Sequence, residues 1–458
     1  MTAPTTGLAG QEALERRREQ KAWNWYDWAN SAYYTTIGTV LFAPWLIHVA
    51  KQSATRCHTK GCVPTVDLLG LHLAAGSLPF YLTSFATIIG AFLLPVVGAF
   101  VDRSPRKKLH MAVYGWLGAG FASSLFFLDA GRWQIGAVAI VLSNILGGCS
   151  LVAYYAILVD ISTEDERDHV SSHGWAWGYL GGGLLLALNL VVVTAHSALG
   201  LSEGLAVRVS MLSAALWWAG FTLIPYLRLR NHPTRNLVRA QGSLMSRSFG
   251  QLFTTLRELP QYPMTMTFLV AYLFYNDGIQ TVINSASTYG ADQLKLSQSV
   301  LIATILLVQF VAFGGALVFG RLAARYGSYR SILWGTGGWM VIVVLAFFLP
   351  THGVVPFLGL ATLIAIVMGG TQALSRSFFS LLIPHGREGE YFSLYQACER
   401  GTSWFGTFVF ALVFQLTGSY RPSIVALIIF FVLGGAFLLR LDPQRGIHEA
   451  GNATPAVV

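Results

Sequence analysis

Five ionisable residues stand inside long apolar runs: Asp27, Asp277, Arg376, Glu399 and Arg400. Each costs at least ~2.5 kcal/mol in hydrocarbon, so each is expected to line an aqueous path or to have a partner. A carboxylate there can hold an ammonium group or carry a proton, and a guanidinium can clamp a carboxylate. Asp27 shares a helical stripe with Asn30, Ser31, Tyr34 and Gly38. Asp277, beside Asn276, shares one with Gln280, Thr281, Asn284 and Thr288 at the same spacing. Lipid cannot solvate such stripes. Two placements stay open for Asp27, the path itself or the membrane interface, because Lys21 precedes it by only ~9 Å of helix. Gln372 and Arg376 lie one turn apart, and Gln396, Glu399, Arg400 and Ser403 form another stripe. Arg376 is expected to meet Glu399 in a buried pair, with Arg400 as the alternative partner. That pair is either a proton-coupling device or a static structural contact. His173 is expected to be an edge residue.

The elements that must position these groups follow from composition. Of 458 residues, 54% are hydrophobic and only 11% charged. Soluble domains carry roughly 25% charged residues, so this chain is expected to be an all-α polytopic membrane protein in contact with the lipid bilayer. The net charge of +9 sits in short basic runs between apolar segments, which argues for cytoplasmic loops and against a nucleic-acid partner. Residues 1–22 have no apolar centre, so no cleavable signal peptide is expected.

Runs long enough to cross ~30 Å of hydrocarbon fall near 22–49, 77–101, 109–128, 133–158, 174–195, 206–227, 264–288, 299–320, 331–349, 354–380, 392–417 and 422–440. They do not alternate, so twelve transmembrane helices are expected and not a barrel. Most Lys and Arg fall in the loops on the side of both termini, which predicts cytoplasmic termini in the cell membrane. Cys57 and Cys62 share the first external loop. A disulfide, free thiols and a metal site with His58 and His72 remain open there, although the last matches no standard spacing. No metal and no cofactor are expected. With no phosphate-binding Gly-rich loop and no nucleophile–base pair, the chain is not expected to be an enzyme.

The basic stretch 228–263 divides the chain. The tail 1–21 and a six-helix bundle over 22–227 precede it, and a second bundle over 264–440 and a tail over 441–458 follow. The halves repeat each other. Gly98, Asp102 and Arg103 after the second span correspond to Gly320, Ala324 and Arg325 after the eighth, an offset of about 222.

The stretch Gly98-Ala-Phe-Val-Asp102-Arg103-Ser-Pro105-Arg106-Lys107 closely resembles the signature loop of the major facilitator superfamily. By that resemblance Gly98, Asp102, Arg103 and Arg106 form a conformational latch; a basic topology anchor is the plainer alternative. Pro105 stands where the family usually has Gly. Four further stretches resemble the vacuole-effluxer-like branch: Tyr26 to Tyr33, Ser171 to Tyr179, Tyr275 to Thr281 and Gly369 to Ser377. Fungal members of that branch are associated with exporting amino acids from the vacuole.

The resemblance implies two pseudo-symmetric bundles that rock about a central cavity. It implies a secondary transporter that moves a small polar or zwitterionic metabolite such as an amino acid; a monomer is expected, and the acidic residues within the spans suggest coupling to protons, with sodium as the alternative. Asp277 or Asp27 would take the ammonium and Arg376 the carboxylate. The alternatives are an exporter of amphipathic compounds or lipids and a non-transporting receptor or scaffold.

Overall fold

The computed structural model describes residues 5–54, 64–68, 70–129, 132–233, 257–401 and 403–458. Cys57 and Cys62 lie outside these residues, as does the side chain of Arg400.

Twelve helical rods run through the described residues. The first comprises α1 (Thr5–Tyr33), a π-helical segment (Tyr34–Leu41) and α2 (Phe42–Ser53). An antiparallel hairpin follows, β1 (Thr65–Leu68) with β2 (Leu71–Ala74), with Thr65 opposite Ala74. The next five rods are α3 (Leu78–Asp102), α4 (Lys107–Ser123), α5 (Trp133–Ile161), α6 (Arg167–Thr194) and α7 (Glu203–Arg228). The second half begins with α8 (Pro263–Thr288), which runs into a π-helical Tyr289–Gln293. It continues with α9 (Gln298–Tyr326), α10 (Ser328–Phe347) and α11 (Val354–Leu381). The eleventh rod is α12 (Glu388–Gly401) with α13 (Ser403–Thr417), and the twelfth is α14 (Tyr420–Ala426) with α15 (Ile428–Arg440). A short α16 (Pro443–Glu449) follows.

Eight of these helices are long and apolar enough by themselves to cross a membrane. The first and seventh rods are not among them, because they carry the polar stripes. Both also have a π-helical segment on the side away from the termini. π-Helical turns re-aim side chains and recur at functional sites.

Two parts differ from the expectation. Residues 65–74, read as loop, form the hairpin. The expected N-terminal tail is largely the start of α1, where Arg16 and Gln20 donate to Glu166 at 2.9 and 3.0 Å.

Each half packs first within itself. In the first, α6 lies against α1 along Gly174, Gly178 and Gly182. A Cβ at Gly178 would stand 2.6 Å from the Ser31 hydroxyl, and one at Gly182 would stand 2.7 Å from that of Thr35. Only glycine lets the two backbones approach this closely. The halves then meet through α6 with α9 and α11, and through α12 with α3 and α5. At the end away from the termini, Phe42–Ser53 packs on α3 and α5, while Tyr289–Gln293 packs on α8, α9 and α14. The main contacts between the halves thus lie at the end that carries the termini.

Candidate functional site

Gly98 and Asp102, expected to form a latch, meet the second half at that end. Asp102 closes α3, and its two carboxylate oxygens accept the backbone N–H groups of Gly389 (2.6 Å) and Glu390 (2.9 Å). Those are free donors in the first turn of α12, where the helix dipole also favours an anion. Gly98, one turn earlier, lets the backbones touch: a Cβ there would stand 2.3 Å from the Gly389 carbonyl oxygen. The cation of the latch differs from the expectation. Arg106 is exposed, and Lys107 takes the position, 2.9 Å from Asp160 and 3.7 Å from Glu388. Arg103 is half-buried.

Deeper along the same interface, Arg376 of α11 enters the first half. Both terminal nitrogens lie 3.2 Å from Asp27 Oδ2. Its Nε donates to the Ser171 hydroxyl, and Nη2 donates to the Ser171 carbonyl, both at 2.9 Å. Four rings surround the guanidinium carbon: Trp23 at 4.8 Å, Tyr155 at 5.1 Å, Trp175 at 5.5 Å and Tyr154 at 5.6 Å. This corrects one expectation: Arg376 pairs with Asp27 across the interface and not with Glu399. Asp27 is buried between the halves.

Glu399 is half-buried and accepts from Gln396 Nε2 at 2.8 Å, while its backbone carbonyl accepts from Asn276 Nδ2 at 3.2 Å. Gln372 accepts the Tyr179 hydroxyl across the interface at 2.8 Å. Asp277 is fully buried. Its Oδ2 accepts Gly406 N–H at 2.9 Å, and its Oδ1 has no hydrogen-bond partner among the described residues. Along its stripe Thr281 is buried, Gln280 is half-buried and Asn284 is exposed. The stripe of α1 changes likewise, from buried Asp27 and Asn30 through half-buried Tyr34 to exposed Gly38. Both stripes therefore emerge towards the end away from the termini.

Other residues of the interface escaped the sequence reading. Arg167 donates to the Ser380 carbonyl (3.0 Å), Ser171 donates to the Ala373 carbonyl (2.6 Å), and Ser377 donates to Asp168. Gln309 reaches Thr35 at 3.4 Å. A signal was present: Ser171, Trp175 and Tyr179 are spaced by four on one helical face, and Gln309 is a lone amide in an apolar run.

The model of the vacuole effluxer Atg22-like family matches residues 15–167 and 158–451. An uncharacterized MFS-type transporter of Bacillus subtilis, YxiO, is 30% identical over 91% of this chain and 93% of its own. Autophagy-related protein 22 of Yarrowia lipolytica is 23% identical over 90% and 83%. Among solved structures, the proton:xylose symporter XylE aligns with a TM-score of 0.69 at 12% identity, over 94% of this chain and 96% of its own. A bacterial homologue of the iron transporter ferroportin, in its outward-facing state, aligns at 0.64 and 15%, over 93% and 99%. The contact of Asp102 with the second half, the two six-helix halves and these matches agree: the chain belongs to the vacuole effluxer Atg22-like family of major facilitator transporters.

Proposed function

We propose that this secondary transporter moves a small zwitterionic metabolite, amino acids first, by alternating access coupled to protons. The single observation that carries the reading is the Asp27–Arg376 pair, buried between two halves that must separate for the path to open on the side of the termini. Separation frees one anion and one cation inside the path, which are the two partners that a zwitterion needs.

Asp277 supports the coupling. It belongs to the second half, holds one hydrogen bond from Gly406, and lies at the buried end of a stripe that grows more exposed along its length. A carboxylate that is alternately sealed and wetted is suited to take up and release a proton. The positive-inside bias supports a cell-membrane protein with cytoplasmic termini. That orientation makes the state described here outward-facing. A monomer suffices, since both halves of the site lie in one chain.

The test is transport in vesicles made with purified protein. Labelled amino acids should exchange across the membrane, and an imposed pH gradient should drive net accumulation. Absence of exchange for every amino acid would reject the substrate class. Exchange that ignores the pH gradient would reject the coupling.

A further inference from the structure

Every group found around the Arg376 guanidinium belongs to the first half of the chain: Asp27, Ser171, Trp23, Tyr154, Tyr155 and Trp175. Arg376 itself belongs to the second. We propose that the first half carries a cage for an organic cation, a guanidinium or an alkylated ammonium, and that Arg376 fills it as an internal ligand whenever the end bearing the termini is closed. This deepens the transport reading by naming the cationic end of the substrate, and it rests on that reading for the rocking motion.

The chemistry is that of an aromatic cage. Four aromatic rings have their centroids 4.8–5.6 Å from the guanidinium carbon, Trp23 and Tyr154 as one stacked pair, and a carboxylate sets the charge. Such a cage prefers diffuse, weakly hydrated charge to a small hydrated ion. The rings are fixed by their own packing. Trp23 stacks on Tyr154 with centroids 4.1 Å apart, and its indole N–H donates to the Tyr154 carbonyl at 2.9 Å. The cage is also shaped to size. A Cβ on Gly174 would stand 2.5 Å from Asp27 Oδ2, 2.8 Å from Trp23 and 3.1 Å from Arg376 Nη2.

When the halves rock apart at this end, α11 carries Arg376 away while Trp23, Asp27, Tyr154, Tyr155, Ser171 and Trp175 stay together. The vacated carboxylate then faces the vestibule without its cation and is free to pair with an arriving organic cation. Arg376 and the substrate compete for one seat. Closure of this end therefore expels the cationic group from the cage, which ties release from it to the conformational cycle.

Methylguanidine and choline are suitable probes, because neither has a carboxylate and so neither needs Arg376. Binding to purified protein is measured by tryptophan fluorescence and calorimetry, with leucine and glutamate as controls. Arg376→Gln should bind methylguanidine or choline at least ten-fold more tightly than the parent does, since the internal competitor is gone. Adding Asp27→Asn or Trp23→Leu to that variant should remove the gain. Leucine and glutamate should gain nothing. If Arg376→Gln does not yield monodisperse protein, Arg376→Lys keeps the charge but not the planar fork, and should show a smaller gain in the same direction.

The proposal is overturned if neither variant gains affinity for either cation, if glutamate gains as much, or if the gain survives Asp27→Asn. The two readings fail separately. Amino-acid exchange in vesicles without any gain in cation affinity leaves transport standing and removes the cage. A gain without any amino-acid exchange does the reverse.

Discussion

Asp27 and Arg376 are 349 positions apart in the chain, yet the carboxylate oxygen and the guanidinium nitrogens are 3.2 Å apart, buried where the two halves meet. A buried pair adds little net stability over an apolar contact, but removing one member leaves a buried charge and costs about 3–5 kcal/mol. That cost falls on the closed state, because the open state exposes both groups to water. Asp27→Asn should therefore shift the molecule towards opening at the end bearing the termini. The readout is a Ser172→Cys reporter in a background whose four native cysteines are replaced by alanine. Ser172 is buried against Gly320. Its maleimide labelling should accelerate at least ten-fold in Asp27→Asn, and the double variant Asp27→Asn/Arg376→Gln should return most of the way. Unchanged labelling in the single variant would mean that the pair does not hold the gate.

The parts of this architecture that repeat locally were legible in the sequence. Helical period placed the stripes of Asp27 and Asp277, and a short motif placed Asp102. What sequence could not supply was the partner across the interface. Arg376 and Glu399 lie on neighbouring rods of one half, so spacing made them natural partners. The fold instead brings α11 against α6 and α1, a relationship between halves that no local pattern records. The same blindness hid Lys107: basic residues crowd the turn, and only the approach of Asp160 and Glu388 selects one of them. No local pattern groups Trp23, Tyr154, Tyr155 and Trp175; only the guanidinium placed among them does.

Gly98 and Asp102 hold the same contact by different means. A Cβ at Gly98 meets backbone, 2.3 Å from the Gly389 carbonyl oxygen, and backbone cannot swing aside. Overpacking of this kind costs roughly 1–3 kcal/mol. Asp102→Asn keeps the shape but loses the charge at the α12 N-terminus, worth up to ~2 kcal/mol when partly buried, and its single amide oxygen can accept only one of the two N–H groups. With the same Ser172→Cys reporter, Gly98→Ala and Asp102→Asn should both label faster than the parent. Both should slow transport while leaving membrane insertion intact. Transport at the parent rate in Asp102→Asn would reject the latch.

His232 gives a pH-dependent contact on the side of the termini. Its Nε2 lies 3.2 Å from Glu19 Oε1, and that hydrogen bond raises its pKa above the usual 6.5 even though partial burial works the other way. A raised folded-state value means that the stabilisation is complete below about 6.5 and is lost as pH rises through the raised value. The histidine is about a third exposed, so the contact is worth only ~0.5 kcal/mol. His232→Gln should lower the melting temperature in detergent at pH 6 and leave it unchanged at pH 9. An equal deficit at both pH values would assign the effect to packing.

Asp277 is the sharpest test of coupling. It is fully buried on α8, its Oδ2 holds the Gly406 N–H at 2.9 Å, and its Oδ1 has no hydrogen-bond partner among the described residues. No salt bridge joins it to a cation among the described residues. A structural carboxylate at that depth would be expected to have a compensating charge, because an ionised group in a span costs at least ~2.5 kcal/mol. Its position suits a group that is neutral while sealed and ionised while wetted. Asp277→Asn keeps the size and the Gly406 contact but cannot exchange a proton. The variant should fold, should lose accumulation driven by a pH gradient in vesicles, and should retain exchange of substrate between equal pools if the carboxylate carries only the proton. Loss of exchange as well would show that Asp277 also holds the substrate. Accumulation at the parent rate would remove Asp277 from coupling and pass the role to Glu399, whose half-buried carboxylate accepts from Gln396 one turn earlier on α12.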